Sequence, residues 1–209
     1  TSWTAMSPIP IAPPPSGVNR MSVAARDQTV VVAWDEWSGS TGAGSTDNGS
    51  FGVYAARATA SATTWTRMGR ALDVDVAGDA SAPAITLDSS VAAIIAWRER
   101  IETAERGVIA RWTGSAWTIV GGRTWLANPG ATPTRTVLAL HAGQAAVVSW
   151  SAAGAVGIAR FNGPKVAGVG IATRASIAGC SFSAASPPAQ VMLTGCFTLP
   201  VAGKPTPHA

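Results

Sequence analysis

Charge is scarce in this chain. Only 12% of its 209 residues are Asp, Glu, Lys or Arg, against 47% apolar residues. The 15 Lys and Arg and 11 Asp and Glu leave a net charge of +4, and the excess is scattered. There is no Lys/Arg run and no basic helix with interleaved aromatics, which argues against a nucleic-acid partner. No apolar run reaches the ~18 residues that a membrane helix needs, so no transmembrane segment is expected. Cysteine and histidine occur twice each, as Cys180, Cys196, His141 and His208, without ligand spacing. No metal site is expected. Tyrosine occurs once, at Tyr54. No catalytic or cofactor motif stands above background, so no catalytic residue, cofactor or enzyme activity is expected. The chain has no signal-peptide pattern. Thr1 opens in what reads as the last strand of a unit, as in a mature or clipped chain.

Small and turn-forming residues are plentiful, with 22 Gly and 14 Pro. Low charge with many Gly, Thr, Ser and Ala is typical of compact extracellular β-rich proteins. The expected location is secreted, periplasmic or on a bacterial cell surface.

Three sequence anchors recur. The first is an apolar run ending in Trp: VVVAW at 30–34, AIIAW at 93–97 and AVVSW at 146–150. The second ends in Arg: VYAAR at 53–57, VIAR at 108–111 and GIAR at 157–160. The third carries Trp-Thr: TSWTAMS at 1–7, TTWTRMG at 63–69 and SAWTIVG at 115–121. Trp34, Trp97 and Trp150 fall 63 and 53 residues apart, and Trp3, Trp65 and Trp117 fall 62 and 52 apart. Two markers that share one drifting period define a repeat of about 40–60 residues with four short strands per unit, a propeller-type array. The nine Trp residues track the repeat, which assigns most of them to the core. Each unit buries its two faces only by stacking on a neighbour.

On these residues the chain resembles bacterial secreted β-propellers of the broad sialidase-like and lectin-like kind. The resemblance is best over residues 83–122, partial over 21–69 and faded over 133–168. It implies an all-β fold, a β-propeller-like array of four-stranded antiparallel blades, about three blades plus an incomplete fourth. The expected organisation is one domain over residues 1–200. Its blades lie near 21–69, 82–122 and 133–171, with a partial one at 175–199 and a flexible tail at 201–209. Residues 8–17, with five prolines, read as an extended linker or a polyproline ligand. Residues 1–7 could serve as the outer strand of the last blade. The ring could equally be completed by further sequence or by a second chain.

The longest loop is expected at residues 35–50. Asp35, Glu36, Trp37, Asp47 and Asn48 supply acceptors and one aromatic platform there, as a sugar or Ca2+ site would need. The competing reading is a flexible polar loop. Ser45 to Phe51 nearly matches the sialidase Asp-box, but its aromatic comes one residue early and it precedes the third strand, so it reads as an ordinary Asn-Gly turn. The DVDVAGD segment at 73–79 lacks the Glu of a calcium loop and reads as a solvated connection. Residues 98–107 alternate Arg and Glu. A helical turn there would pair Glu102 with Arg98 and Arg106 in a self-neutralised surface loop. Arg57, Arg111 and Arg160 recur with the repeat, which suggests a structural role at strand ends. Cys180 and Cys196 flank two apolar stretches and read as a disulfide, with two buried thiols as the alternative.

The expected function is a non-catalytic extracellular or periplasmic binding or assembly module that contacts a glycan or a protein partner through blade-end loops. The alternative is a structural subunit of a larger complex, completing a propeller with another chain. A sialidase-like enzyme is a third reading. It would need a Tyr nucleophile and an acid/base carboxylate, and Tyr54 sits inside a repeat strand.

Overall fold

The computed structural model describes residues 6–11, 17–38, 49–75, 78–101, 104–120, 133–141, 144–151, 156–162, 165–172, 183–185 and 192–194. These form three four-stranded sheets and one strand pair. The first sheet joins β1 (Gly17–Arg26), β2 (Thr29–Ser38), β3 (Ser50–Thr59) and β4 (Thr66–Arg67). The second joins β5 (Ala80–Leu87), β6 (Ala93–Ile101), β7 (Ala104–Trp112) and β8 (Trp117–Ile119). The third joins β9 (Pro133–His141), β10 (Gln144–Ser151), β11 (Val156–Asn162) and β12 (Lys165–Ala172). β13 (Ser183–Ala185) pairs with β14 (Met192–Thr194).

In every sheet, spatial order follows chain order and neighbours run antiparallel. The local causes are plain in the first hairpin. Arg26 and Thr29 pair across a two-residue loop, and Asp27 there takes a left-handed φ of 53°, which a short polar residue tolerates. The first strands of the three sheets are neighbours, with β5 lying between β1 and β9. The second sheet is therefore covered on both faces. That explains its near-continuous apolar runs, since a strand buried on both sides needs no polar alternation.

The main core fills the space between the first and second sheets. Val31, Ala33, Val53 and Ala55 meet Ile85, Ile95, Trp97, Val108 and Ala110, with Met68 and Leu72 from the connecting segment between them. Burial of each large apolar side chain contributes about 1.5–3 kcal/mol. The opposite face of the first sheet carries a smaller cluster, Val32, Trp34 and Ala56, packed by Ile9, Val18, Tyr54 and Trp65.

Three expectations from the sequence are corrected. Residues 98–101 and 104–107 form no helical turn, and Glu102 lies outside the described residues. Arg98, Glu99 and Arg100 extend β6 and pair with Gly107, Arg106 and Glu105 on β7, because Glu99 and Ile101 point into the core and anchor an extended hairpin. Residues 6 and 7 are not in a strand. The Ser7 amide donates to the Thr63 carbonyl at 2.8 Å, which docks this segment on the first sheet rather than the last. β2 runs to Ser38, so Asp35, Glu36 and Trp37 lie on a strand and not in the expected loop. Cys180 and Cys196 lie outside the described residues.

Candidate functional site between the first and second sheets

β4 is only two residues long, and this shapes the junction. It leaves the outer edge of β3 unpaired beyond Ala56, and exposed backbone donors must find partners. The connecting segment supplies them. Met68 and Leu72 donate their amides to the carbonyls of Ala55 and Val53. Asp73 Oδ1 accepts the Val53 amide at 2.9 Å, and Asp79 Oδ1 accepts that of Phe51 at 3.1 Å. The acidic connection is thus an edge cap and not a solvated linker. Gly52 leaves room beside it: a Cβ there would stand 3.0 Å from Asp73 Oδ2 and 3.2 Å from the Tyr54 hydroxyl, so these side chains would have to shift.

The second sheet holds the same segment from its other side. Trp97 Nε1 donates to Glu99 Oε2 at 2.8 Å, and Glu99 Oε1 accepts the Asp75 amide at 2.6 Å. Trp117 Nε1 donates to the Met68 carbonyl at 2.6 Å. Glu99 is fully buried, and burial raises its pKa. Hydrogen bonds from Asp75, Trp97 and Val74 oppose that rise. The first sheet repeats the pattern, with Trp34 Nε1 donating to the buried Glu36 Oε2 at 2.8 Å and Trp65 Nε1 donating to the Ser7 carbonyl at 3.1 Å.

Between the connecting segment and the outer part of the second sheet lies an open cleft of about 590 Å³. Gly69 to Val74 form one wall, and Trp112, Ser115, Ala116, Trp117 and Ile119 the other. Trp112 and Trp117 meet edge to face, with ring centroids 5.2 Å apart. Trp112 is buried, and its Nε1 has no hydrogen-bond partner among the described residues. Trp117 and Ile119 are half-buried, and Arg70 and Ser115 are exposed at the rim. Asp73 is the carboxylate of the lining. Burial pushes its pKa up to about 6; the Val53 amide opposes the rise and the charge of Glu99 adds to it. Aromatic surface with a few fixed polar groups is the usual make-up of a small-ligand cleft.

Behind this edge, Arg67 lies over the rings of Trp34 and Tyr54 at 5.7 and 5.0 Å, and Trp34 stacks on Tyr54 at 5.9 Å. Burial raises the Tyr54 pKa, and the charges of Asp73 and Glu36 raise it further against the pull of Arg67. The phenol stays protonated.

Of the residues singled out from the sequence, Asp35, Glu36 and Trp37 follow one another along β2. Asp35 is buried, and its carboxylate accepts the Arg20 amide at 2.5 Å and the Ala82 amide at 3.0 Å, tying the two sheets together. Glu36 is buried under Trp34. These two carboxylates are spent on internal bonds, so the structure corrects their placement in a ligand loop. Trp37 is half-buried against Gly49. Asp47 and Asn48 lie outside the described residues. Arg111, expected to be structural, donates twice to Asp88 Oδ2, at 2.9 and 2.6 Å. The cleft itself was missed; the recurrence of Trp65 and Trp117 was its signal. Among the described residues, no group of three or more His, Cys, Asp and Glu is placed to hold a metal ion. No helix among them is long and apolar enough to cross a membrane.

Neither a family model nor a curated protein matches the sequence. Solved structures do. An ulvan lyase of a polysaccharide lyase family, bound to -[GlcA(1-4)Rha3S]-, has a TM-score of 0.53 at 13% identity, over 80% of this chain and 44% of its own. The Aleuria aurantia lectin in complex with Fucα1-6GlcNAc has a TM-score of 0.51 at 14% identity, over 83% of this chain and 52% of its own. The fold is a β-propeller array. At these identities the likeness shows the fold alone. The chain spans about half the length of the solved structures it matches.

Proposed function

We propose that the chain is a non-catalytic propeller module that binds an extracellular glycan in the cleft between its first and second sheets. The observation that carries this reading is the open, Trp-floored cleft with Arg70, Ser115 and Asp73 at its walls. A half-buried indole gives a flat apolar platform for a sugar ring, and the polar groups can hydrogen-bond hydroxyls at its edge. Hydrolysis of a glycosidic bond uses two carboxyl groups about 5–9.5 Å apart. Among the described residues the cleft lining holds one, Asp73. Tyr54 is held protonated rather than activated, which disfavours it as a nucleophile. The polysaccharide and fucoside ligands of the two similar structures make glycans the first class to screen.

The test is titration with a panel of neutral and uronate-containing oligosaccharides, read by the indole N–H resonance of Trp117. A bound glycan shifts that resonance. Arg70→Ala, at an exposed rim residue, weakens binding about tenfold without lowering the melting temperature. A panel that leaves the Trp117 resonance unmoved sinks the glycan reading. A stable co-purifying protein would then favour the structural-subunit alternative.

A further inference from the structure

We propose that the face of the first sheet turned away from the second is a docking face for a sheet of a second copy of this chain. The two sheets are built alike. Trp34 and Glu36 on β2 correspond to Trp97 and Glu99 on β6, and each indole donates to its Glu at 2.8 Å. Trp65 and Trp117, on the outer side of each sheet, donate to a carbonyl of the segment entering that sheet, Ser7 and Met68.

In the second sheet this face is covered twice: by the entering segment, through Met68 and Leu72, and by the whole first sheet. In the first sheet only the entering segment is in place. Ile9 packs on Val32 and Trp34, and Arg67 donates to the Pro10 carbonyl at 3.0 and 2.7 Å. Among the described residues nothing else covers this face. Ile85, opposite Ile95, is 6% exposed, whereas Val23, at the corresponding place opposite Val32, is 59% exposed. Met21, opposite Trp34, is 48% exposed.

The missing cover is therefore another four-stranded sheet, since that is what the same face of the second sheet receives. Among the described residues no other sheet supplies it: β13 lies beside β9, at the other end of the array. Two copies supply what one lacks. The chain spans 44% and 52% of two propellers that share its fold, and a second copy adds sheets of the same kind. A pair related by a two-fold axis covers the bare face of each copy at once.

Light scattering on the full chain across a dilution series from sub-millimolar to micromolar tests this. The expected limiting mass is twice the 21.1 kDa of the chain. Val23→Arg places a charge at the centre of the bare face and weakens self-association about tenfold or more. Thr118→Arg, exposed on β8 of the second sheet, leaves it unchanged. The indole N–H resonance of Trp97, bonded to Glu99, reports that both variants remain folded. A constant mass of 21.1 kDa overturns the proposal, as does a dimer that Val23→Arg leaves intact. A mass that keeps growing with concentration also overturns it, because the contact then fails to close at two copies.

Discussion

Two aspartates, Asp73 in the connecting segment and Asp88 in the turn after β5, have their pKa values shifted in opposite senses. Asp73 has its pKa pushed up to about 6, chiefly by burial. Its charged form is disfavoured in the folded chain, so the folded state holds a proton that the unfolded state has lost between the ordinary carboxylate range and pH 6. Stability contributed through Asp73 therefore falls as pH rises across that window. Asp73→Asn keeps a carbonyl to accept the Val53 amide and removes the ionisation. The variant is expected to be more stable than the parent at pH 7 by on the order of 1–2 kcal/mol, after discounting for the partial exposure of the carboxyl, and no more stable at pH 4. Thermal melts at the two pH values check this; an equal difference at both would sink it. Asp88 is the reverse case. Burial pushes its pKa up, but hydrogen bonds from Ser90 and Arg111 and from the Ala92 and Ser90 amides together outweigh that and hold it below the usual carboxylate value. Its contribution is present above the unfolded carboxylate pKa and lost as pH falls through the lowered one. Asp88→Asn is expected to cost about 1–2 kcal/mol at neutral pH. Most of that difference disappears in acid, as urea melts at both pH values should show.

The unit that fixes one sheet to the next is a Trp, a Glu two residues on, and the backbone of the entering segment. Removing the acceptor leaves buried donors stranded, which costs about 1–3 kcal/mol for each group. Glu99→Leu strands Trp97 Nε1 and the Asp75 amide, and is expected to destabilise by about 3 kcal/mol or more. Glu99→Gln retains one carbonyl acceptor and is expected to cost less. Chemical denaturation ranks the two, and a Leu variant more stable than the parent would mean that the buried acid is a net burden. The strands were legible in the sequence because their apolar runs, Trp endings and Gly or Asp turns all have local causes. The role of Glu36 and Glu99 was not. Each comes two residues after a strand-ending Trp and reads as one charge of a loop, and the distant group it meets, Arg67 for Glu36 and the Asp75 amide for Glu99, lies well away in the chain. The same holds for Asp73 and Asp79. They look solvated until β4 proves too short to satisfy β3. Residues 98–107 carried charges at i,i+4 spacing that suits a helix as well as a hairpin, and Ile101 entering the core decides between them.

At the scale of the molecule, sheets that touch only their neighbours have stabilities set by how many faces each one shares. The second sheet shares two faces, and the first shares one while its other is covered only along the outer side. Opening free energies should follow this order, because hydrogen exchange reports local unfolding and not merely hydrogen-bond count. β6 lies between two covered faces and carries Ile95, Ala96 and Trp97, all fully buried. Its amides are expected to exchange slowest. β1 carries the exposed Met21 and Val23 on a strand with an outer edge, and is expected to exchange fastest of the long strands in the first two sheets. Hydrogen exchange read by mass spectrometry at low protein concentration measures both. If docking of a second copy covers the bare face, protection of β1 rises with concentration while β6 stays constant. A β1 protected as strongly as β6 at every dilution would mean that the face is already closed within one chain, and stability would then not follow shared faces.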